Sequence, residues 1–196
     1  MDIQKPLSIQ PIPSHAKCVF KGAIFDVYQW EQKMFDRTTQ IFEKLKRSDS
    51  TMVIPITQED KVVVLEQEQP GKEPFLGIPG GRVNEGEDVL EAAQRELLEE
   101  TGLASDHFQL WDAQQPIAKV EWAVYTFIAK QCKKIQEPLA DPGEKIKMRE
   151  VSFEKFITLT LDKEFHDVEV TLRLAHEGIF TLQNGKRVEE LKEQFY

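Results

Sequence analysis

Three glutamates, Glu96, Glu99 and Glu100, stand at i, i+3 and i+4 within GRVNEGEDVLEAAQRELLEETGL, the segment spanning residues 81–103. On a helix each residue advances by about 100°, so the three carboxylates share one face. Like charges at that spacing weaken a helix. A chain that accepts this cost needs a neutralising partner, and hard divalent cations, Mg²⁺ above all, take oxygen ligands of this kind. Glutamate-rich runs are often only solvated faces. Here Leu90, Ala93 and Leu97 recur at i, i+3 and i+7 and predict a buried stripe beside the acidic face. Such a helix would hold its carboxylates on a rigid element. Glu87 and Asp88 favour the positive end of the helix dipole, and Gly102 is placed to end the helix.

The same segment carries a spacing: Gly81, five residues, Glu87, seven residues, Arg95-Glu96-Leu97, one residue, Glu99-Glu100, one residue, Gly102-Leu103. This pattern resembles the signature of the Nudix hydrolase family without a miss. Seven of these positions demand a single residue type. A chance match somewhere in the chain is on the order of one in a million.

Composition sets the outer limits. At 196 residues the chain is long enough for one domain with an appendage. Its net charge of −9 argues against a general nucleic-acid binder, which would show a basic patch. No stretch approaches the roughly 18 apolar residues of a membrane span, and the opening MDIQKPLSIQ lacks a signal-peptide core. Cys18 and Cys132, few and far apart, read as reduced thiols of a cytoplasmic protein, a single bridge being the alternative.

Along the chain, residues 18–21, 24–28 and 40–45 alternate like strands, with turns at Gly22 and near Asp36. Three such strands bury little alone and must lean on something. Residues 51–56 and 61–67 are stronger strands, and Val62-Val63-Val64-Leu65 reads as a strand covered on both faces. Residues 75–79 lead into Gly80-Gly81 and the acidic helix. Residues 107–113, 119–129 and 148–153 read as strands, and 133–147 as a long polar loop. Residues 153–157 and 168–177 read as helices, the second with Val168, Leu172 and Ala175 on one side. This order predicts helices packed on a mixed sheet. The resemblance sharpens it to an α/β/α sandwich. Residues 1–49 are expected to form an antiparallel β meander ahead of a Nudix domain at 50–196. In the branch acting on ADP-ribose and related nucleoside diphosphate sugars, such a meander is often exchanged across a homodimer.

The resemblance also implies a chemistry: metal-assisted hydrolysis of a pyrophosphate bond, with Mg²⁺, or Mn²⁺ in its place. A pyrophosphate repels an attacking water, and metal ions neutralise it and activate the water. Glu96 and Glu100 are the expected main metal ligands, with Glu99 as a further one and the Gly80 carbonyl joining by resemblance. Arg95 is expected to hold a carboxylate such as Glu87, with a plain surface ion pair as the alternative. The general base of that branch comes from a loop glutamate. Glu144 sits in the corresponding loop, with Glu137 and Asp141 as competitors. For the substrate, Arg47, Arg82 and Pro116 are candidates. Phe20, Phe25 and Tyr28 are candidates for stacking on a base, though meander aromatics also serve as core. Trp122 reads as core. Two departures stand out. The branch usually carries Gln-aromatic-Arg at the end of its second core strand, where this chain has Gln67-Glu68-Gln69. It also tends to place Glu where this chain has Gly77, two residues before Pro79. Arg82 is placed to restore the missing positive charge. Two alternatives stay open: a nucleoside triphosphate pyrophosphatase of the sanitising kind, which typically lacks the meander, and a non-catalytic nucleotide-sugar sensor, which usually loses box glutamates.

Overall fold

The computed structural model describes residues 3–139, 143–180 and 185–196, the last stretch by backbone alone at 185–187. The elements run β1 (Lys17–Lys21), β2 (Asp26–Lys33), β3 (Thr39–Lys46), β4 (Ser50–Thr57), β5 (Val62–Glu68), β6 (Phe75–Gly77), β7 (Gly80–Arg82), α1 (Val89–Thr101), β8 (Leu103–Ala104), β9 (His107–Gln114), β10 (Val120–Glu121), β11 (Val124–Lys134), β12 (Lys145–Val151), α2 (Phe153–Leu159), α3 (Val168–His176) and α4 (Gly185–Phe195).

The core sheet follows the path β12-β5-β4-β11-β8, with β6 on β5, β7 on β4 and β9 on β11. The β4–β11 pair is parallel and its neighbours are antiparallel, so the sheet is mixed. Alternate residues of the central strands serve opposite cores, as the two-residue strand period requires. Ile54, Ile56, Val62, Val64 and Ile128 pack with Phe153, Phe156, Leu174 and Phe195 from α2, α3 and α4. Val53, Val63, Leu65 and Phe127 pack with Ala93 and Leu97 of α1. The result is the expected α/β/α sandwich. Leu97 is fully buried, which stabilises by about 1.5–3 kcal/mol.

The three N-terminal strands lean on β10. Val120 and Glu121 pair in parallel with Leu45 and Lys46 and complete a four-stranded sheet. The strand expected over 119–129 is therefore two strands, β10 and β11, broken at Trp122-Ala123. The fourth strand of the meander sheet thus comes from the sequence that follows the core hairpins.

Two further expectations need correction, and one helix was not expected. The polar loop expected at 133–147 is shorter, because β11 runs on to Lys134 and β12 starts at Lys145. The start of β12 was masked by its charges. Lys145, Lys147 and Arg149 stand on the exposed face and pair with Glu68 and Glu66, while Ile146 and Met148 turn to the core. In α3 the buried residues are Val170 and Leu174; Val168 and Leu172 are 54% and 49% exposed. The one-sided apolar row read from the sequence thus faces away from the core. Helix α4 was not foreseen, since its apolar anchors Leu191 and Phe195 are few among charges.

Candidate active site

The acidic helix is fixed at both ends. Asp88 caps it by accepting from the Leu90 N–H at 2.8 Å. Gly102 ends it in the left-handed region at φ 71° and donates to the Leu98 carbonyl. Ile135 and Gln136 then donate to the Gly102 carbonyl, and Leu139 donates to the Glu99 carbonyl. The chain after β11 therefore folds over the end of α1. Ala93 and Leu97 of the predicted stripe are buried and Leu90 is half-buried.

Glu96, Glu99 and Glu100 line one hollow with Gly80, Gly81, Arg82, Asn84, Arg95, Leu139 and Glu144. Strand β7 lies directly against the helix. A Cβ on Gly81 would overlap the Glu96 carboxylate and force it out of its present place beside Arg95. The Gly80 N–H donates to Glu100 Oε2 at 2.9 Å. Arg95 spends its guanidinium inside the cluster. Nε and Nη2 donate to Glu87 at 2.7 and 3.0 Å, and Nη1 donates to Glu96 at 2.7 Å and Glu99 at 3.1 Å. Nη2 also donates to the Arg82 carbonyl at 3.0 Å. Glu87 in turn accepts from the Asn84 N–H, and its pairing with Arg95 holds its carboxyl below the usual range.

One arginine does not neutralise this cluster. Burial pushes the Glu96 carboxyl up. Burial pushes Glu100 further, from 4.5 to about 8, and the charges of Glu96, Glu144 and Asp167 add to it. Among the described residues, no three carboxylate, thiol or imidazole groups already converge into a metal cage. What exists is a hollow with desolvated, mutually repelling oxygen donors and Arg95 holding their outer edge.

A second hollow opens beside the first and shares Gly80, Gly81, Glu100 and Glu144 with it. Its far end holds Arg47, stacked over the Trp122 ring at 4.8 Å and facing the Phe25 ring at 5.7 Å. The Arg47 Nε is buried without a hydrogen-bond partner. Burial and the nearby Arg82 charge both depress its pKa. Its other end is lined by Phe75 and His166, whose rings stack at 4.5 Å, and by Lys72, Asp167 and Glu169. Burial raises Asp167 from 3.8 to about 7.

The predicted residues thus fall into three groups. Gly80, Gly81, Arg82, Arg95, Glu96, Glu99, Glu100 and Glu144 come together in one hollow, with Glu87 bound to Arg95 behind it. Arg47 lines the adjoining hollow, with Phe25 against it. Pro116, Tyr28 and Phe20 line neither hollow within one chain. Pro116 is half-buried in the β9–β10 connection, and the Tyr28 ring lies 5.9 Å from the Lys46 ammonium. Of the competitors for the base, Glu137 is exposed and paired with Lys134; Asp141 lies outside the described residues. Glu144 is half-buried and accepts from Gln69 Nε2 at 2.9 Å. Gln69, where the branch carries arginine, therefore grips the candidate base. Trp122 packs against the core as expected; being half-buried, it also borders the cleft, with its Nε1 donating to Ser50. His166 and Asp167 were missed, because an Asp before a helix reads as a cap.

A glycine turn laid against a carboxylate-bearing helix, inside an α/β/α sandwich and opening on a cleft, defines a class of hydrolase. The NUDIX domain family matches residues 46–174. The chain belongs to the NUDIX family and is a Nudix hydrolase, and hydrolases of this family generally use divalent metals. It is 24% identical over 161 residues to the ADP-ribose pyrophosphatase of Bacillus subtilis (strain 168), covering 81% of this chain and 87% of that protein. The same coverage and identity hold for the methanol dehydrogenase activator of Bacillus methanolicus. The ADP compounds hydrolase NudE of Escherichia coli (strain K12) is 26% identical over 107 residues, 53% of this chain and 54% of that protein. In fold, the crystal structure of an ADP compounds hydrolase matches with a TM-score of 0.66 at 19% identity, covering 91% of this chain and 98% of that one. Both cysteines are free. Among the described residues no helix is long and apolar enough to cross a membrane.

Proposed function

We propose that this chain hydrolyses the pyrophosphate bond of a nucleoside diphosphate joined to a second group, ADP-ribose first and a nucleotide sugar second. Water adds across the bond and releases a nucleoside monophosphate and a sugar phosphate. The observation that carries this reading is the continuity of the two hollows. Desolvated carboxylates line one, an arginine stacked on tryptophan lines the other, and Glu100 and Glu144 border both. Names borne by the relatives, ADP-ribose pyrophosphatase and ADP compounds hydrolase, point the same way.

The residues fit a divalent cation. Glu96 and Glu100 are hard oxygen donors whose charged forms are disfavoured in the protein alone, and cation binding relieves that penalty. Glu96, Glu99, Glu100 and the Gly80 carbonyl would hold it, with Mg²⁺ as the natural occupant and Mn²⁺ as a substitute. When bound, the ion neutralises phosphate charge and makes its water a better nucleophile. Glu144, oriented by Gln69, accepts the proton of the attacking water. Arg95 braces Glu87, Glu96 and Glu99 and does not touch substrate. Arg47 and Arg82 supply the positive charge that meets the phosphates, in place of the arginine missing at position 69.

Incubation with a panel of nucleoside diphosphate derivatives and nucleoside triphosphates, with Mg²⁺, tests the reading. Release of AMP and ribose 5-phosphate from ADP-ribose supports it; no cleavage of any diphosphate derivative sinks it. Arg47→Ala should raise KM by roughly 10- to 100-fold, the cost of losing a charged hydrogen bond of about 1.5–3 kcal/mol, with little change in kcat. A fall in kcat alone would contradict the assignment of Arg47 to binding.

We further read the N-terminal strands as a dimerisation element of a cytoplasmic homodimer. Support comes from apolar side chains left in solvent on this sheet and its β1–β2 turn: Val19, Phe20, Ile24 and Ile41 are 51–62% exposed, more than a monomer ordinarily scatters over one small region. Sedimentation velocity at rising concentration should give a two-chain species, and Phe20→Asp with Ile41→Asp should dissociate it. A monomer at all concentrations refutes this role.

A further inference from the structure

Asp167 stands at the N-cap of α3 but does not cap it. The side chain of an N-cap aspartate ordinarily accepts a hydrogen bond from an amide of its own first turn, and the Asp167 side chain accepts none there. Its Oδ2 accepts instead from the Ile78 N–H at 2.7 Å, a residue 89 positions away. The Pro79 carbonyl accepts from the Val53 N–H at 2.8 Å, and the Gly80 N–H donates to Glu100 at 2.9 Å. Residues 78, 79 and 80 are thus tied at three successive points. The connection before α3 is laid out to deliver the first tie. Leu76 donates to the Glu164 carbonyl at 2.7 Å and accepts from the His166 N–H at 2.9 Å, so this segment runs beside β6 and carries Asp167 to the turn.

Gly77 is the counterpart. A Cβ there would sit 2.7 Å from Asp167 Oδ2, closer than non-bonded carbon and oxygen approach. A side chain at 77 would therefore push the Asp167 carboxylate from the position in which it meets Ile78. This accounts for the departure at Gly77: a carboxylate still reaches the start of the glycine turn, but it arrives from α3.

We propose that Asp167 is a positioning residue of the active site. By anchoring Ile78 it fixes the turn that sets Gly80 against Glu100, and so fixes the cation-binding geometry from behind. This rests on the hydrolase reading above, and its test is chosen to be separable from it.

The full-length chain is compared as wild type, Asp167→Ala, Asp167→Asn and Gly77→Ala, with Mn²⁺ as the probe and free ion followed by electron paramagnetic resonance. Asp167→Ala should weaken Mn²⁺ binding by about 10- to 100-fold, the usual cost of losing a group that holds a metal ligand in place. Asp167→Asn, whose amide oxygen accepts the same bond, should recover most of that loss. In metal-free protein the Ile78 and Gly80 amides should exchange faster in Asp167→Ala than in wild type. Gly77→Ala, which pushes the carboxylate off Ile78, should reproduce the loss, yet add little when Asp167 is already alanine. It also carries the test if Asp167→Ala does not fold. Unchanged Mn²⁺ affinity in the folded variants overturns the proposal. So does an Asp167→Asn as weak as Asp167→Ala, since charge and not the hydrogen bond would then matter. None of these readouts uses turnover. A wild-type chain that binds Mn²⁺ but cleaves no pyrophosphate therefore defeats the functional reading and leaves Asp167 to be judged on its own.

Discussion

Glu100→Gln should nearly abolish hydrolysis while making the metal-free protein more stable. The amide keeps an acceptor for the Gly80 N–H, so the turn stays in place. What is lost is the charge. Removing a partner behind a metal ligand costs about 10- to 100-fold, and removing the ligand's own charge should exceed that, with the loss in kcat and the fold intact. Stability moves the other way because Glu100 is only 8% exposed and its carboxylate is disfavoured when ionised; a neutral amide of the same shape escapes that penalty. The measurement is a pair: steady-state rates with Mg²⁺, and the thermal midpoint without it at about pH 8.5. A variant that keeps its rate, or that melts lower in metal-free buffer, counts against the site.

Metal-free wild-type protein should lose stability as pH rises from about 4.5 to about 8. Glu100 is raised from 4.5 to about 8 and Asp167 from 3.8 to about 7, with Glu96 raised as well. Between the unfolded and folded values the folded chain holds protons that the unfolded chain has released. Stability therefore falls with pH across that window and levels off above it. Retaining one such proton costs about 1.4 kcal/mol for each pH unit climbed, so Glu100 alone accounts for a few kcal/mol. The paired carboxylates Glu66 and Glu87 are lowered instead. Their contribution is present above about 4.5 and is lost only below it, so the two windows do not overlap. Melting curves at about pH 5.5 and about pH 8.5, with and without Mg²⁺, decide the matter. Mg²⁺ should stabilise most at the higher pH and flatten the dependence. A metal-free midpoint that climbs with pH across this range contradicts the desolvated cluster.

Apart from Asp167, these effects reside in side chains whose spacing was already visible in the sequence. Glu96, Glu99 and Glu100 are brought together by one helix, and a helix is a local object with a fixed period. The same holds for Asp88 and Gly102 at its ends, and for the alternation of Val62 to Leu65 between two cores. What escaped was non-local or masked. The start of the strand over Lys145–Val151 was hidden because lysine and arginine occupy the face that pairs with Glu66 and Glu68. The second role of Trp122 was not legible, because nothing local tells that Arg47, 75 residues earlier, lies on its ring. Asp167 stood out in no way because its partner, Ile78, lies 89 residues earlier. Pairings of this kind follow from topology, which periodicity does not encode.

Lys44 has a consequence for anyone cutting this protein. Its ammonium is almost wholly enclosed and donates to Ser8, to the Gln10 carbonyl and to Glu121 at 2.7–2.8 Å. Three distant stretches of chain share one enclosed cation. Starting an expression clone at residue 50 would not trim an ornament. It would strip β10 of its neighbour and leave Glu121 facing a void where its counter-charge had been, beside the Trp122 that carries Arg47.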